Sequence, residues 1–183
     1  MSKRRKNLIY LTGFMGSGKS TIAPILANTL GYSSRDIDVE IERITGKRVS
    51  DIFTDHGERY FREVERKLLQ ESALLEGCII SLGGGTIANQ ANLQIVKSSG
   101  VLVYLSASVE QIFRRVRHKT NRPLLLTPDG ERLSEEDLLT KITLLMNERA
   151  PYYEQADVTI VTGDQPVGLT IDKLVRAINQ LVE

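Results

Sequence analysis

The 183-residue sequence predicts an α/β protein of three layers, α/β/α, on a five-stranded parallel sheet. Three observations carry that expectation. Short apolar runs alternate with longer stretches whose apolar residues recur at helical spacing, the pattern of strands joined by crossover helices. The run Val101-Leu102-Val103-Tyr104-Leu105 is apolar throughout, as a strand covered on both faces must be. No internal repeat and no linker rich in Pro, Gly or Ser divides the chain, so residues 1–183 are expected to form one domain.

The elements follow in order. Residues 7–12 are expected as a buried strand and 19–30 as a helix stopped by Gly31. Pro24 inside that helix removes a backbone donor and should loosen or kink one turn. A second strand should end at Asp36, although Tyr32-Ser33-Ser34-Arg35 is more polar than a buried strand would be. After an irregular stretch, residues 58–76 set Phe61, Val64, Leu68 and Leu75 at helical spacing and close at Gly77. Residues 78–82 form a strand running into Gly83-Gly84-Gly85, and 101–105 another. Helices are expected over 108–117 and 134–149, the second ended by Pro151, with a last strand over 158–161. Ile171, Leu174, Val175, Ile178, Leu181 and Val182 form the stripe of a terminal helix. The long aperiodic stretch, 117–133, has the length of a functional loop such as a mobile lid. Residues 1–6 are expected as a solvated basic arm with no assigned function.

Composition removes several classes of function. Lys and Arg number 24 against 23 Asp and Glu, a formal charge of +1, without the basic excess of a protein held by nucleic-acid phosphates. Aromatic residues are 5% with no Trp, which argues against a base-stacking surface. No run approaches the roughly 18 apolar residues needed to cross a membrane. The one cysteine, Cys78, lies in an apolar run and fits packing in a reducing cytoplasm.

The strongest motif is Gly13-Phe14-Met15-Gly16-Ser17-Gly18-Lys19-Ser20, followed by Thr21. It leaves an expected strand and opens an expected helix, the context of a loop that binds a nucleoside triphosphate. Glycines let backbone N–H groups turn inward around an anion, and the helix N-terminus adds partial positive charge. Lys19 supplies a point charge to the β- and γ-phosphates, and the Ser20 hydroxyl suits Mg²⁺.

Other residues supply an acceptor site. Asp36 and Asp38, at i and i+2 of a strand end, can face a metal and an alcohol; Asp38 could equally cap a helix. Gly83, Gly84 and Gly85 suit a ligand approaching the main chain, or an ordinary loop. Leu138, Ile142, Leu145 and Arg149 share one face, so Arg149 is expected on a buried stripe in need of an anion. Arg62 could join it or simply pair with Glu65, three residues on. Arg114, Arg115, Arg117 and Lys119 could form a solvated run, whereas Arg122-Pro123-Leu124-Leu125-Leu126 has the makings of a latch over the triphosphate. His56 and His118 have no metal spacing and receive no role.

In this order the motifs resemble those of the shikimate kinase family, small P-loop kinases related to nucleoside monophosphate kinases. The likeness runs from about residue 7 to 183. Its marks are Gly16-Ser17-Gly18-Lys19-Ser20-Thr21, Asp36-x-Asp38, Gly57-Glu58 with Phe61-Arg62 and Glu65, Ser81-x-Gly83-Gly84-Gly85, Arg122-Pro123-Leu124, and Arg149-x-x-x-Tyr153 before Ala156-Asp157. The resemblance implies the P-loop kinase fold and transfer of the ATP γ-phosphoryl to the 3-hydroxyl of shikimate by a cytoplasmic monomer. It implies that Asp38 holds the acceptor hydroxyls, with Arg62, Arg149 and the backbone of Gly83, Gly84 and Gly85 on the substrate carboxylate and ring. Residues 38–66 would be the acceptor-binding region. Asp36 and Ser20 would hold Mg²⁺, Arg122 would descend with the lid, and Arg115 and Gln165 would lie near the adenine. A kinase with another acceptor, such as gluconate or a nucleoside monophosphate, remains the alternative, and a regulatory nucleotide-binding module is a third.

Overall fold

Five strands pair in parallel in the order β2-β3-β1-β4-β5: β1 Leu8–Thr12, β2 Ser33–Asp36, β3 Cys78–Ser81, β4 Val101–Ser106 and β5 Val158–Val161. This computed structural model describes residues 7–119, 125–127 and 129–182, so the basic arm expected at 1–6 lies outside it. The alternation within β1 explains why it is apolar throughout. Leu8 and Tyr10 enter one half of the core, and Ile9 and Leu11 the other. Helices α1 (Lys19–Leu30) and α7 (Val167–Val182) cover the second half through Ile22, Leu26, Ile171, Leu174 and Ile178. The first half is covered by α2 (Ile37–Thr45), α3 (Val49–Ser72), α4 (Gln90–Ser99), α5 (Val109–Val116) and α6 (Glu135–Tyr153). The expected three layers are present, and no helix among the described residues is long and apolar enough to cross a membrane.

Strand β2 resolves the polarity of 32–35. It lies at the edge and pairs on one side only, Ser33 beside Cys78 through Asp36 beside Ser81, so its side chains need not be buried. That register sets the end of β2 against the end of β3, where the glycine run begins.

Several boundaries differ from expectation. Helix α3 starts at Val49, earlier than residue 58, but Gly57 (φ 77°, ψ 171°) breaks it, and a second helical run begins at Glu58. It ends at Ser72, short of residue 76. Helix α4, capped by Asn89, was not anticipated. Helix α6 does not stop at Arg149: it continues through Pro151 to Tyr153. Tertiary contacts carry that last turn, because the Tyr153 ring stacks on Tyr104 with centroids 4.9 Å apart. Pro24 lies on the exposed side of α1, which stays one helical segment across it.

Of the expected lid, residues 117–119, 125–127 and 129–133 are described. They are not wholly irregular. Leu126 bridges Arg132 in antiparallel fashion, and Leu125 is buried. Arg122, Pro123 and Leu124 lie outside the described residues.

Candidate active site

The chain leaves β1, near the point where the strand order reverses, through a tight loop. At Gly13 (φ 145°) an added Cβ would stand 2.5 Å from the Leu105 carbonyl oxygen, so no larger residue fits. The loop carbonyls are held from outside. Lys19 Nζ donates to Gly13 O at 2.7 Å and Phe14 O at 3.1 Å. Arg115 donates to Gly16 O at 3.0 Å and to Gly163 O at 3.1 Å. The buried Thr162 hydroxyl lies 3.1 Å from both Ser17 O and Ser106 O. An anion entering this loop meets backbone N–H groups, the N-terminus of α1 and an ammonium held in place.

The acidic pair divides its work differently from the simplest expectation. Asp36, not Asp38, is the N-cap of α2: its Oδ1 accepts from Asp38 N at 3.0 Å and Val39 N at 3.4 Å. Its Oδ2 accepts from the Ser20 hydroxyl at 3.2 Å. Hydroxyl and carboxylate oxygens side by side are hard donors suited to Mg²⁺. Among the described residues no group of three or more His, Cys, Asp or Glu could cage a metal, so an ion here would complete its shell with phosphate oxygens and water. Asp38 sits in the first turn and not at the cap, and a Cβ on Gly83 would lie 3.1 Å from its Oδ1.

The glycine run is where the acceptor-side residues converge. A Cβ on Gly85 would meet Arg62 Nη2 at 2.8 Å, and one on Gly84 would meet Arg149 Nη1 at 3.3 Å. None of the three has positive φ, so what favours glycine here is the close approach of side-chain ends and not the backbone conformation. Arg149 is buried at 7% exposure and its Nη1 finds no hydrogen-bond partner among the described residues. Its guanidinium faces the Phe14 ring, 5.5 Å from the centroid. A buried cation with an idle donor is costly unless an anion arrives.

Arg62 is already paired. It donates to Glu65 Oε2 at 2.8 Å and to Glu58 Oε1 at 3.1 and 3.2 Å. Burial works against its charge, but the two carboxylates outweigh this and hold its pKa above the ordinary value. The fully buried Glu65 also accepts from the Thr86 hydroxyl at 2.6 Å. Neither Thr86 nor Thr162 carries a sequence signal, and Tyr153 stands there only as a mark of the family resemblance; contact between distant segments reveals what their hydroxyls bond.

A cleft of about 510 Å³ is lined by residues 16–21 of the phosphate loop, by Asp36, Asp38, Gly83 and Gly84, and by Arg115, Lys119 and Gln165. Gly85, Arg62 and Arg149 do not line it; they stand behind or beside the glycine run. Gln165, at the far end, is tied to Thr170 and Lys173. Arg114 and Arg117 point elsewhere, to Asp164 and Glu135.

The shikimate kinase family model matches residues 15–179. The chain belongs to the shikimate kinase family. The shikimate kinase of Chlorobaculum parvum is 42% identical over 177 residues, spanning 97% of this chain and 95% of that one. The shikimate kinase of Chlorobium phaeobacteroides is 44% identical over 179 residues, 98% of this chain and 94% of its own. A solved shikimate kinase from Acinetobacter baumannii, in complex with shikimate, superposes with a TM-score of 0.87 at 33% identity and covers 97% of this chain and 95% of its own. The likeness thus spans the phosphate loop, the glycine run and α6 alike.

Proposed function

We propose that the cleft transfers the ATP γ-phosphoryl to the 3-hydroxyl of shikimate, giving shikimate 3-phosphate and ADP, with the residues above in named roles. The observation that carries the acceptor side is the buried, unpartnered Arg149 Nη1 facing Gly84. A carboxylate supplies what that nitrogen lacks. Arg62 joins by exchanging Glu58, which is 60% exposed and weakly held, for the acceptor carboxylate while keeping the buried Glu65. The ring then lies along Gly83–Gly85, and Asp38 takes the hydroxyl.

Asp38 orients that hydroxyl and takes its proton as the oxygen attacks phosphorus. Lys19 and the loop amides stabilise charge on the phosphoryl oxygens. Ser20 and Asp36 would hold Mg²⁺, which when bound would neutralise charge on the triphosphate. Arg115 and Gln165 take the adenine end. The single buried cysteine, Cys78, supports a reducing cytoplasm, and family membership supports action as a monomer.

The deciding assay measures ADP formation by the full chain with ATP and Mg²⁺, with and without shikimate, and with gluconate and AMP as comparison acceptors. Dependence on shikimate alone is expected. A folded, ATP-binding protein that ignores shikimate would sink this reading.

A further inference from the structure

We propose that Tyr153 is a positioning residue for the acceptor: its hydroxyl fixes the Gly84 peptide between Arg149 and the phosphate loop. The inference rests on the reaction proposed above. Tyr153 is buried at the last turn of α6, one helical turn beyond Arg149, and donates its phenolic hydrogen to Gly84 O across 69 residues of chain. Its ring stacks on Tyr104, which pairs in register with Thr12, the last residue of β1 before the phosphate loop. Gly84 has close neighbours. A Cβ there would stand 3.3 Å from Arg149 Nη1, 3.4 Å from Met15 N and 3.5 Å from Gly13 O. The Gly84 peptide therefore runs beside the cation meant for the substrate, with the phosphate loop at ordinary contact distance from an added Cβ, and the phenol holds it.

Burial pushes the Tyr153 phenol up to about 12 against the lowering pull of Arg149 beside it, so it stays a donor at any working pH. It moves no proton in the reaction. Its task is geometric, and small misplacements at a reacting centre are costly. Continuation of α6 past Pro151 acquires a purpose here, because a helix ended at Arg149 would leave Gly84 O without this donor.

Tyr153→Phe keeps the ring and deletes only the hydroxyl. In steady-state assays of the full chain, the shikimate KM should rise roughly 3- to 10-fold, the scale of one lost hydrogen bond, with the ATP KM and kcat changed less than twofold. A general loosening would move both KM values together. An equal rise in the ATP KM, or a shikimate KM changed less than threefold, overturns the proposal. An unmodified chain silent with shikimate overturns the reading beneath it instead. Should Tyr153→Phe not fold by circular dichroism, Tyr104→Leu removes the stacking surface and leaves the hydroxyl. It too should raise the shikimate KM selectively, and an unchanged value counts against the role.

Discussion

Arg149 is charged, buried and short of one partner, so its removal should separate stability from function. Arg149→Leu replaces an uncompensated cation by an apolar side chain, a change that is often neutral or stabilising. The melting temperature should hold or rise while the shikimate KM climbs roughly 30- to 150-fold, the scale of about 2–3 kcal/mol for a charged hydrogen bond. An unchanged KM would remove the carboxylate role. Glu65→Gln should behave in the opposite way. It takes a buried negative charge from Arg62, whose side chain is 31% exposed, and should cost about 2 kcal/mol, less than a fully buried pair. Thermal melts should show a fall of roughly 4–8 °C. The phosphate loop and the buried stripe of Arg149 were legible in local spacing, whereas spacing left Asp38 between cap and acceptor and Arg62 between an ion pair and the acceptor. Thr86 bonding to Glu65 and Tyr153 to Gly84 were not legible, because each joins parts of the chain that no period connects.

Helices were legible where their apolar stripe is long. Helix α7 carries its stripe along its length, whereas α4 buries few apolar residues, Leu93 and Val96 among them, and its clearest signal is the Asn89 cap accepting from Ala91 N and Asn92 N. The first half of α3 escaped for a related reason: of its residues, Ile52 is the fully buried apolar one, and the left-handed break at Gly57 interrupts the period. Pro24 offers a test at this scale. It costs α1 a backbone bond to Ser20 O yet lies exposed, so Pro24→Ala forfeits little packing. Stability should rise by about 1–3 kcal/mol, seen as a melting temperature higher by roughly 2–12 °C, with both KM values unchanged. A lower melting temperature would show that the proline's rigidity in the unfolded chain outweighs the missing bond.

The fold as a whole was legible because all five strands are marked by apolar runs or by the motifs that end them, and the parallel order leaves few ways to connect them. Its response to alkali follows from two phenols buried in the core. Burial raises Tyr10 despite the opposing bond to Ser99, and raises Tyr153 from the ordinary 10.0 to about 12. A raised folded pKa means that the contribution is complete below about pH 10, where both states hold the proton, and drains away as the pH climbs towards 12 and only the unfolded chain releases it. Denaturant titrations should show stability falling over that window, by up to about 3 kcal/mol from Tyr153. Tyr153→Phe should flatten part of the slope, and an identical slope would contradict the assignment. At the opposite margin of the sheet, β2 offers the backbone groups of Ser33, Ser34 and Arg35 to water. A strand from a neighbouring molecule docking there would have to cover a guanidinium and two hydroxyls, with no apolar neighbour in return. Growth of the sheet into a fibre is therefore discouraged at this margin, and the polarity that disguised a strand in the sequence helps keep concentrated protein in solution.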